Sequence, residues 1–493
     1  MKGVARFLLP ALGGCILTLA FAPYKLSLLA WIAFIPLFYS LRDGRHPFWK
    51  AFLMGLAFFA TLLYWIPFSN VEKSVLPQMI TGYLLLLFYL SCYFGLSGLF
   101  YNKLRKLSHI EMFPFVFTGL EFIRSLSSNL GFPWGSVGYS QGNLIHFVQI
   151  ASLGGLPLVT FWVLSMNTIL YLFIENWIIK GKSRRLYLYV PLGFIIFPFL
   201  YSEIVLYRGY KSEGNLTATI IQPNILPTEK RWRSNNRLEK IREIVKSLPE
   251  SDIYILPETA SPYSLTNSEK TKRFFQDLAK EKDGLIITGM PDFEVKDVKI
   301  LYYNAAALVD SEKIVGIYRK MFLVPFVERL PFDDVIPGFA KINLGQGHFS
   351  PGSNYSVFDA GENKISVFIC YEAIFPQIIR KFVLEGTHLL VNITEDGWFG
   401  KTSAPYQHAQ MAAFQSIAYR RTLLRSANTG VSLIISPFGR IILKSKIYRE
   451  CSLTAKIPLV KGKTVYAKIG DTFGWLFLLF VLGLIFYRRT PND

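Results

Sequence analysis

The sequence predicts a two-part protein: a multi-span α-helical membrane domain of about eight helices, and an extracytoplasmic α/β domain carried between the last two of them. Three observations lead there. Long apolar runs fill residues 1 to 206 and return at 473 to 487. Residues 207 to 471 read as globular, with short β-rich runs alternating with amphipathic stretches. Basic residues crowd alternate connections between the apolar runs. At 493 residues, with 51% hydrophobic and 16% aromatic content, the chain is too long and too apolar for one ordinary soluble domain.

The candidate spans are residues 7 to 22, 26 to 41, 51 to 68, 80 to 101, 112 to 127, 156 to 173, 186 to 201 and 473 to 487. Several fall short of the ~20 residues an untilted helix needs to cross the hydrocarbon core, and Pro23 with Lys25 marks a break between the first two. Lys2 and Arg6 ahead of an apolar run also fit a signal peptide. No small-residue cleavage site precedes Pro23, however, and further spans follow, so a retained first span is expected. The expected division is a membrane domain of about seven helices over 1 to 206, a soluble domain over 207 to 471, and a terminal helix with its tail over 472 to 493.

Orientation follows from the basic residues, which stay cytoplasmic near span ends. One set of connections holds Lys2, Arg6, Arg42, Arg45, Lys50, Lys103, Arg105, Lys106, Lys180, Lys182, Arg184, Arg185, Arg488 and Arg489. The other short connections hold only Lys25 and Lys73. Both termini are therefore expected in the cytoplasm and the globular segment outside it. The formal charge of +19 belongs largely to these loops, where anionic lipid is the natural partner rather than nucleic acid. Of four cysteines, Cys15 and Cys92 lie in apolar spans. Cys370 and Cys451 remain, which argues against a disulfide framework and leaves open both a pairing of the two and a reactive thiol.

In the globular segment, strands are expected at 217 to 222, 253 to 256, 284 to 288, 304 to 309, 365 to 369 and 388 to 392. Helices are expected at 234 to 247, 269 to 280, 376 to 385 and 408 to 426. Alternation of this kind indicates an α/β domain with helices flanking sheets. No Gly-rich phosphate loop, CxxC pair or HExxH helix is present, so neither a cofactor nor a metal is called for.

Three polar residues stand where strand ends converge: Glu258, Lys320 and Cys370. An acyl-transfer site needs a base for the thiol proton, and a cation that lowers the thiol pKa and stabilises the oxyanion. Singly, each residue also reads as a surface carboxylate, a solvated lysine or a small buried hydrophobe. His388 and His408 leave a papain-like pair open, although Glu and Lys favour the other chemistry. Glu121 and Arg124, three apart in the fifth span, fit one helical face as structural glue. Residues 322 to 327 form an apolar loop between Lys320 and Glu328 that reads equally as a lid dipping towards lipid and as one more core segment.

With their contexts, Glu258, Lys320 and Cys370 resemble the Glu-Lys-Cys triad of the nitrilase (carbon-nitrogen hydrolase) superfamily, over about residues 215 to 458. The whole chain is similar to the bacterial apolipoprotein N-acyltransferases. The similarity rests on Gly131-Phe132-Pro133-Trp134, Gly138-Tyr139-Ser140-Gln141, Gln222-Pro223-Asn224-Ile225 and Tyr302-Tyr303-Asn304. It extends through Lys320 to Glu328, Cys370-Tyr371-Glu372, Trp398-Phe399-Gly400 and Gln407-His408-Ala409-Gln410-Met411. At 392 to 398 the chain departs from the family's more frequent Ser-Asn-Asp-Ala, keeping Asp396.

The resemblance implies an αββα sandwich with Glu258 as general base, Lys320 as oxyanion-stabilising cation and Cys370 as the nucleophile that becomes a thioester. Glu328 and Glu372 are implied as supporting acids. Trp232, Tyr371 and Trp398 are candidates for lining a lipid groove or packing the core. The resemblance further implies a monomer in the bacterial inner membrane, its catalytic domain periplasmic. A phospholipid would be the acyl donor and a diacylated apolipoprotein the acceptor. An anchored amidase using the same triad, and a catalytically decayed scaffold protein, are the competing readings.

Overall fold

The computed structural model describes residues 2–69, 75–104, 110–126, 130–179, 186–210, 212–226, 234–296, 299–333 and 348–487. Trp232 lies outside the described residues, as do Lys73, Arg105, Lys106, Lys180, Lys182, Arg184, Arg185, Arg488 and Arg489.

Among the described residues, four helices are long and apolar enough to cross a membrane: Pro47–Phe68, Leu76–Lys103, Ala151–Asn176 and Tyr189–Arg208. Shorter apolar helices cover Val4–Leu19, Ser27–Leu41 and Thr472–Gly483, and Phe113–Ile123 forms a further helix in the fifth candidate span. The first helix stops at Leu19, and Lys25 takes a positive φ of 61° in the turn that follows. Aromatic rings fill the space between the helices, among them Phe34, Phe58, Phe94, Phe113 and Phe117. With lipid as apolar as the side chains, such contact packing is what holds spans together. Glu121 and Arg124 pair at 3.6 Å. They also bond the loop after their helix: Glu121 accepts from Val137 N, and Arg124 donates to the Trp134 carbonyl and the Ser136 hydroxyl.

The second part contains two six-stranded sheets. The first, in the order β12-β1-β2-β3-β4-β5, uses β1 (Ser212–Gln222), β2 (Ile253–Ile255), β3 (Leu285–Lys296), β4 (Lys299–Val309), β5 (Ile314–Arg319) and β12 (Cys451–Val460). The second, β11-β10-β9-β8-β7-β6, uses β6 (Val357–Ala360), β7 (Asn363–Ile369), β8 (Leu389–Thr394), β9 (Thr422–Ala427), β10 (Leu433–Ile435) and β11 (Ile441–Lys444). The triplets β1-β2-β3 and β7-β8-β9 are parallel, so their carboxyl ends open on one edge of each sheet.

Period-two alternation assembles the layers. On β2, Ile253 and Ile255 join the core shared with the second sheet, while Tyr254 and the following Leu256 pack with Ile241, Val245, Phe275 and Leu278 of helices Ser234–Ser247 and Glu269–Glu281. Helices Pro376–Leu384 and Ala404–Tyr419 carry buried residues into the core of the second sheet. The expected helix over 408 to 426 is in fact a helix that ends at Tyr419 and a strand, β9. Arg420 takes the left-handed conformation between them (φ 52°) and breaks the apolar run.

Candidate active site

Glu258 sits two residues beyond the Leu256 that extends β2, in a loop pressed against β3. Gly289 of β3 permits that approach: a Cβ there would lie 2.6 Å from the Glu258 Cα. The carboxylate is held at both oxygens, accepting from Asn304 Nδ2 at 2.7 Å and from the Glu395 backbone N–H at 2.7 Å. Lys320 directly follows β5, its backbone N–H bonded to the Asn304 carbonyl at 2.8 Å. Its Nζ lies 3.9 Å from Glu258 Oε1 and 2.8 Å from Glu328 Oε2. Asn304 reaches Glu328 as well, at 3.1 Å. Glu258, Lys320, Glu328 and Asn304 thus form one buried cluster of two carboxylates, one ammonium and one amide.

Cys370 begins the turn after β7 in the left-handed region (φ 50°). Its thiol interacts electrostatically with Glu258 and Lys320. Burial would strip Lys320 of its proton, but Glu328 and Glu258 outweigh burial and hold its pKa above the ordinary lysine value. The thiol moves the other way from expectation. Burial and the Glu258 carboxylate push the Cys370 pKa well above the usual thiol range, and Lys320 only partly offsets them. One cation does not compensate for desolvation and the carboxylates beside it, so the resting group is a thiol, not a thiolate.

Glu328 bonds Lys320 and also accepts from the Val324 backbone at 2.8 Å, closing the apolar loop onto the lysine. Phe326 and Val327 at the tip of that loop are each 58% exposed, so core packing does not account for them. Glu372 lies beneath the site. It accepts from Ile369 N (2.7 Å), Met321 N (2.7 Å) and the Tyr318 hydroxyl (2.7 Å), tying the Cys370 turn to the segment after Lys320. Burial raises its pKa against those donors. Tyr371 is buried, its ring near Phe132 and its hydroxyl on the Gly131 carbonyl at 3.0 Å, at the seam with the helical part. Trp398 is half-exposed, at 51%. Cys451 and Cys370 are both free.

Asn304, Asp396 and Arg425 have no role predicted from the sequence, and His408 only the alternative one of a papain-like partner. Asn304 bridges both carboxylates. Asp396, Arg425 and His408 form a second fully buried cluster: Arg425 Nη2 contacts Asp396 Oδ2 at 2.9 Å and His408 Nδ1 at 3.0 Å. Burial opposes the Asp396 charge, yet Arg425 holds its pKa down at about 2. Gly430 leaves it room, because a Cβ there would fall 2.7 Å from the Asp396 Cγ. The readable signal was a charge on the apolar strand β9, since Arg425 is wholly buried there and such a charge needs a partner. Neither histidine forms a papain-like pair: His408 Nε2 bonds the Cys370 carbonyl at 3.0 Å, and His388 accepts from the Lys364 backbone.

The helix Ala404–Tyr419 joins this site to the apolar helices. Gln407 accepts from Trp134 Nε1 and Trp65 Nε1, at 2.9 and 3.3 Å. Gln410 accepts from Ala22 N and donates to the Tyr139 carbonyl, and Tyr139 donates to the Ile374 carbonyl in the Cys370 turn.

Two family models match the chain: the apolipoprotein N-acyltransferase N-terminal domain over residues 13–169, and carbon-nitrogen hydrolase over residues 217–465. The apolipoprotein N-acyltransferase of Geobacter metallireducens is 32% identical, covering 95% of this chain and 92% of the relative. That of Thermotoga maritima is 27% identical over 100% of this chain and 95% of its own length. That of Chlorobaculum tepidum is 29% identical, covering 94% and 93%.

Proposed function

The chain belongs to the apolipoprotein N-acyltransferase family and is an N-acyltransferase, and on that premise we propose that Cys370 carries the acyl group as a thioester between a phospholipid donor and a lipoprotein acceptor. The observation that supports this best is the convergence on Cys370 of a carboxylate and a cation that are 3.9 Å apart and both buried.

Because the resting sulfur holds its proton, attack and proton removal occur together. Glu258 takes the Sγ proton as Sγ bonds to the carbonyl carbon of a phospholipid ester. Lys320, kept charged by its two carboxylates, faces the negative oxygen that develops. The ester C–O bond breaks, Glu258 returns the proton to the departing alkoxide, and a lysophospholipid leaves. In the second half, the α-amine of an N-terminal S-diacylglyceryl cysteine attacks the thioester. Glu258 accepts the amine proton, the C–S bond breaks, and the proton returns to sulfur. Glu328 keeps Lys320 in place, and the exposed Phe326 and Val327 beside it suit a loop that meets acyl chains and keeps water from the thioester.

The same reading has eight spans, with both termini cytoplasmic and residues 207 to 471 periplasmic, in a monomer of the inner membrane. Both lipid substrates then approach Cys370 laterally from the outer leaflet.

The test is incubation of the purified protein with phospholipid, then mass spectrometry of the Cys370 peptide with and without a diacylated lipopeptide. An acyl adduct that disappears when the lipopeptide is added, with the lipopeptide gaining the chain, is expected. No adduct, or one that persists in Cys370→Ser, sinks the mechanism, and release to water alone supports an anchored hydrolase.

A further inference from the structure

His408 is fully buried, is titratable, and has no part in the steps above. The Cys370 turn is held from two sides: Glu372 accepts from the preceding Ile369 N–H, and His408 faces the Cys370 carbonyl at 3.0 Å. We propose that His408 is a positioning residue for the nucleophile: its Nε2–H clamps the Cys370 carbonyl and so fixes the left-handed turn that presents Sγ to Glu258 and Lys320. The proposal rests on Cys370 being the nucleophile.

The ring's protonation follows from its partners. A carbonyl oxygen only accepts, so Nε2 carries the proton. Burial and the Arg425 charge favour the neutral ring over the pull of Asp396. Nδ1 is then bare and accepts from Arg425 Nη2 at 3.0 Å; that same nitrogen also contacts both Asp396 oxygens, at 3.1 and 2.9 Å, which brings Asp396 Oδ1 to 3.1 Å from Nδ1. Arg425 thereby selects the tautomer that clamps Cys370, donating to Nδ1 against the pull of the Asp396 carboxylate for a proton there.

The ring plane is set by aromatic contacts. Trp134 lies 5.5 Å away at a 31° tilt, and Phe399 meets it edge-on at 6.1 Å. Trp134 is anchored through Gln407 on the histidine's own helix and, at its carbonyl, by Arg124 of the fifth candidate span. A non-glycine residue at φ 50° relaxes unless its surroundings hold it. Without the clamp the Cys370 carbonyl loses its partner while the Glu372 side of the turn stays held, so Cys370 relaxes from φ 50° and Sγ shifts away from the line between the base and the ester. A displacement of about 1 Å costs about a hundredfold in rate.

The test compares wild type, His408→Ala and His408→Gln, all as full chains in phospholipid nanodiscs. Single-turnover acylation of Cys370 is followed by intact mass against phospholipid concentration, with thermal unfolding in parallel. His408→Ala is expected to lower the maximal acylation rate about a hundredfold with an unchanged half-saturating phospholipid concentration. His408→Gln, which still offers an N–H to the carbonyl, is expected to recover to within about tenfold of wild type. A structural role alone moves the unfolding temperature and leaves the rate of the folded fraction alone. If His408→Ala does not fold, His408→Gln carries the test: a loss of about a hundredfold at wild-type unfolding temperature overturns the proposal. Equal acylation in wild type and His408→Ala overturns it and leaves the nucleophile standing. No adduct in wild type overturns both.

Discussion

Two buried ionic clusters flank Cys370, and their charge balance differs. Glu258, Glu328 and Lys320 put two carboxylates against one ammonium, with Asn304 bridging the carboxylates. Asp396 and Arg425 match one charge with one, and the neutral His408 closes the set. A balanced buried pair holds its protons fixed and serves as a scaffold. A cluster with an uncompensated carboxylate keeps a basic oxygen next to the thiol. The same types of side chain therefore make a rigid support on one side of the nucleophile and a proton acceptor on the other.

The largest test of that difference is Glu258→Gln. Losing the base should cut acylation by at least about a thousandfold, roughly 4 kcal/mol of barrier. It should also change the thiol in the opposite sense. Because the Glu258 charge helps to raise the Cys370 pKa, removing it lowers that pKa and increases the thiolate fraction at pH 8. Alkylation by neutral iodoacetamide should therefore become several-fold faster while acyl transfer disappears. Slower alkylation in the variant would mean that Glu258 activates a preformed thiolate.

Asp396→Asn should act on stability. It leaves Arg425 buried without its counter-charge, at a cost of about 3 kcal/mol, because the Asn392 side chain and the Val431 carbonyl still receive two of the guanidinium's donors. Denaturant unfolding measures the loss. A variant as stable as wild type would remove the distinction between the clusters.

Acid exposes the same carboxylate more gently. Asp396 ionises at about 2 in the folded protein against an ordinary value of 3.8. Its contribution is complete above about pH 4 and is lost as pH falls towards 2, for about 2 kcal/mol in all. In Asp396→Asn that part of the acid transition should be missing. The wild-type slope persisting in the variant would assign it to other carboxylates.

What the sequence disclosed follows from burial. Strands β2, β7 and β8 read clearly because helices cover one face and the other sheet covers the second, leaving apolar runs such as Ile253 to Leu256 and Leu389 to Val391. Strands β5, β6, β10, β11 and β12 are not among the expected ones: the first four are three to six residues long, and β11 and the first half of β12 alternate too little between buried and exposed to show a period of two. The apolar stretch through β9 fits helix and strand equally, and only the turn at Arg420 separates them. Glu258, Lys320 and Cys370 were visible through resemblance, since each alone has an ordinary explanation. The thiol's raised pKa was not visible, because it depends on how deeply three distant segments bury one another. Asn304 was marked only as part of the Tyr302-Tyr303-Asn304 match, and its role was hidden because nothing local shows that a mid-strand amide bridges two carboxylates from distant segments.

The smallest effect separates the charged clusters from the seam between the two parts of the molecule. Tyr371 follows the nucleophile directly, yet its hydroxyl donates to the Gly131 carbonyl, and its ring packs on Phe375 and near Phe132. Its bond thus crosses to the helical part and touches neither cluster. Tyr371→Phe keeps the ring and removes one neutral hydrogen bond, worth about 1 kcal/mol. Unfolding should shift by that amount while single-turnover acylation stays within about threefold of wild type. A larger rate loss would place the hydroxyl against substrate, and the lipid groove would then extend to the seam instead of ending at Cys370.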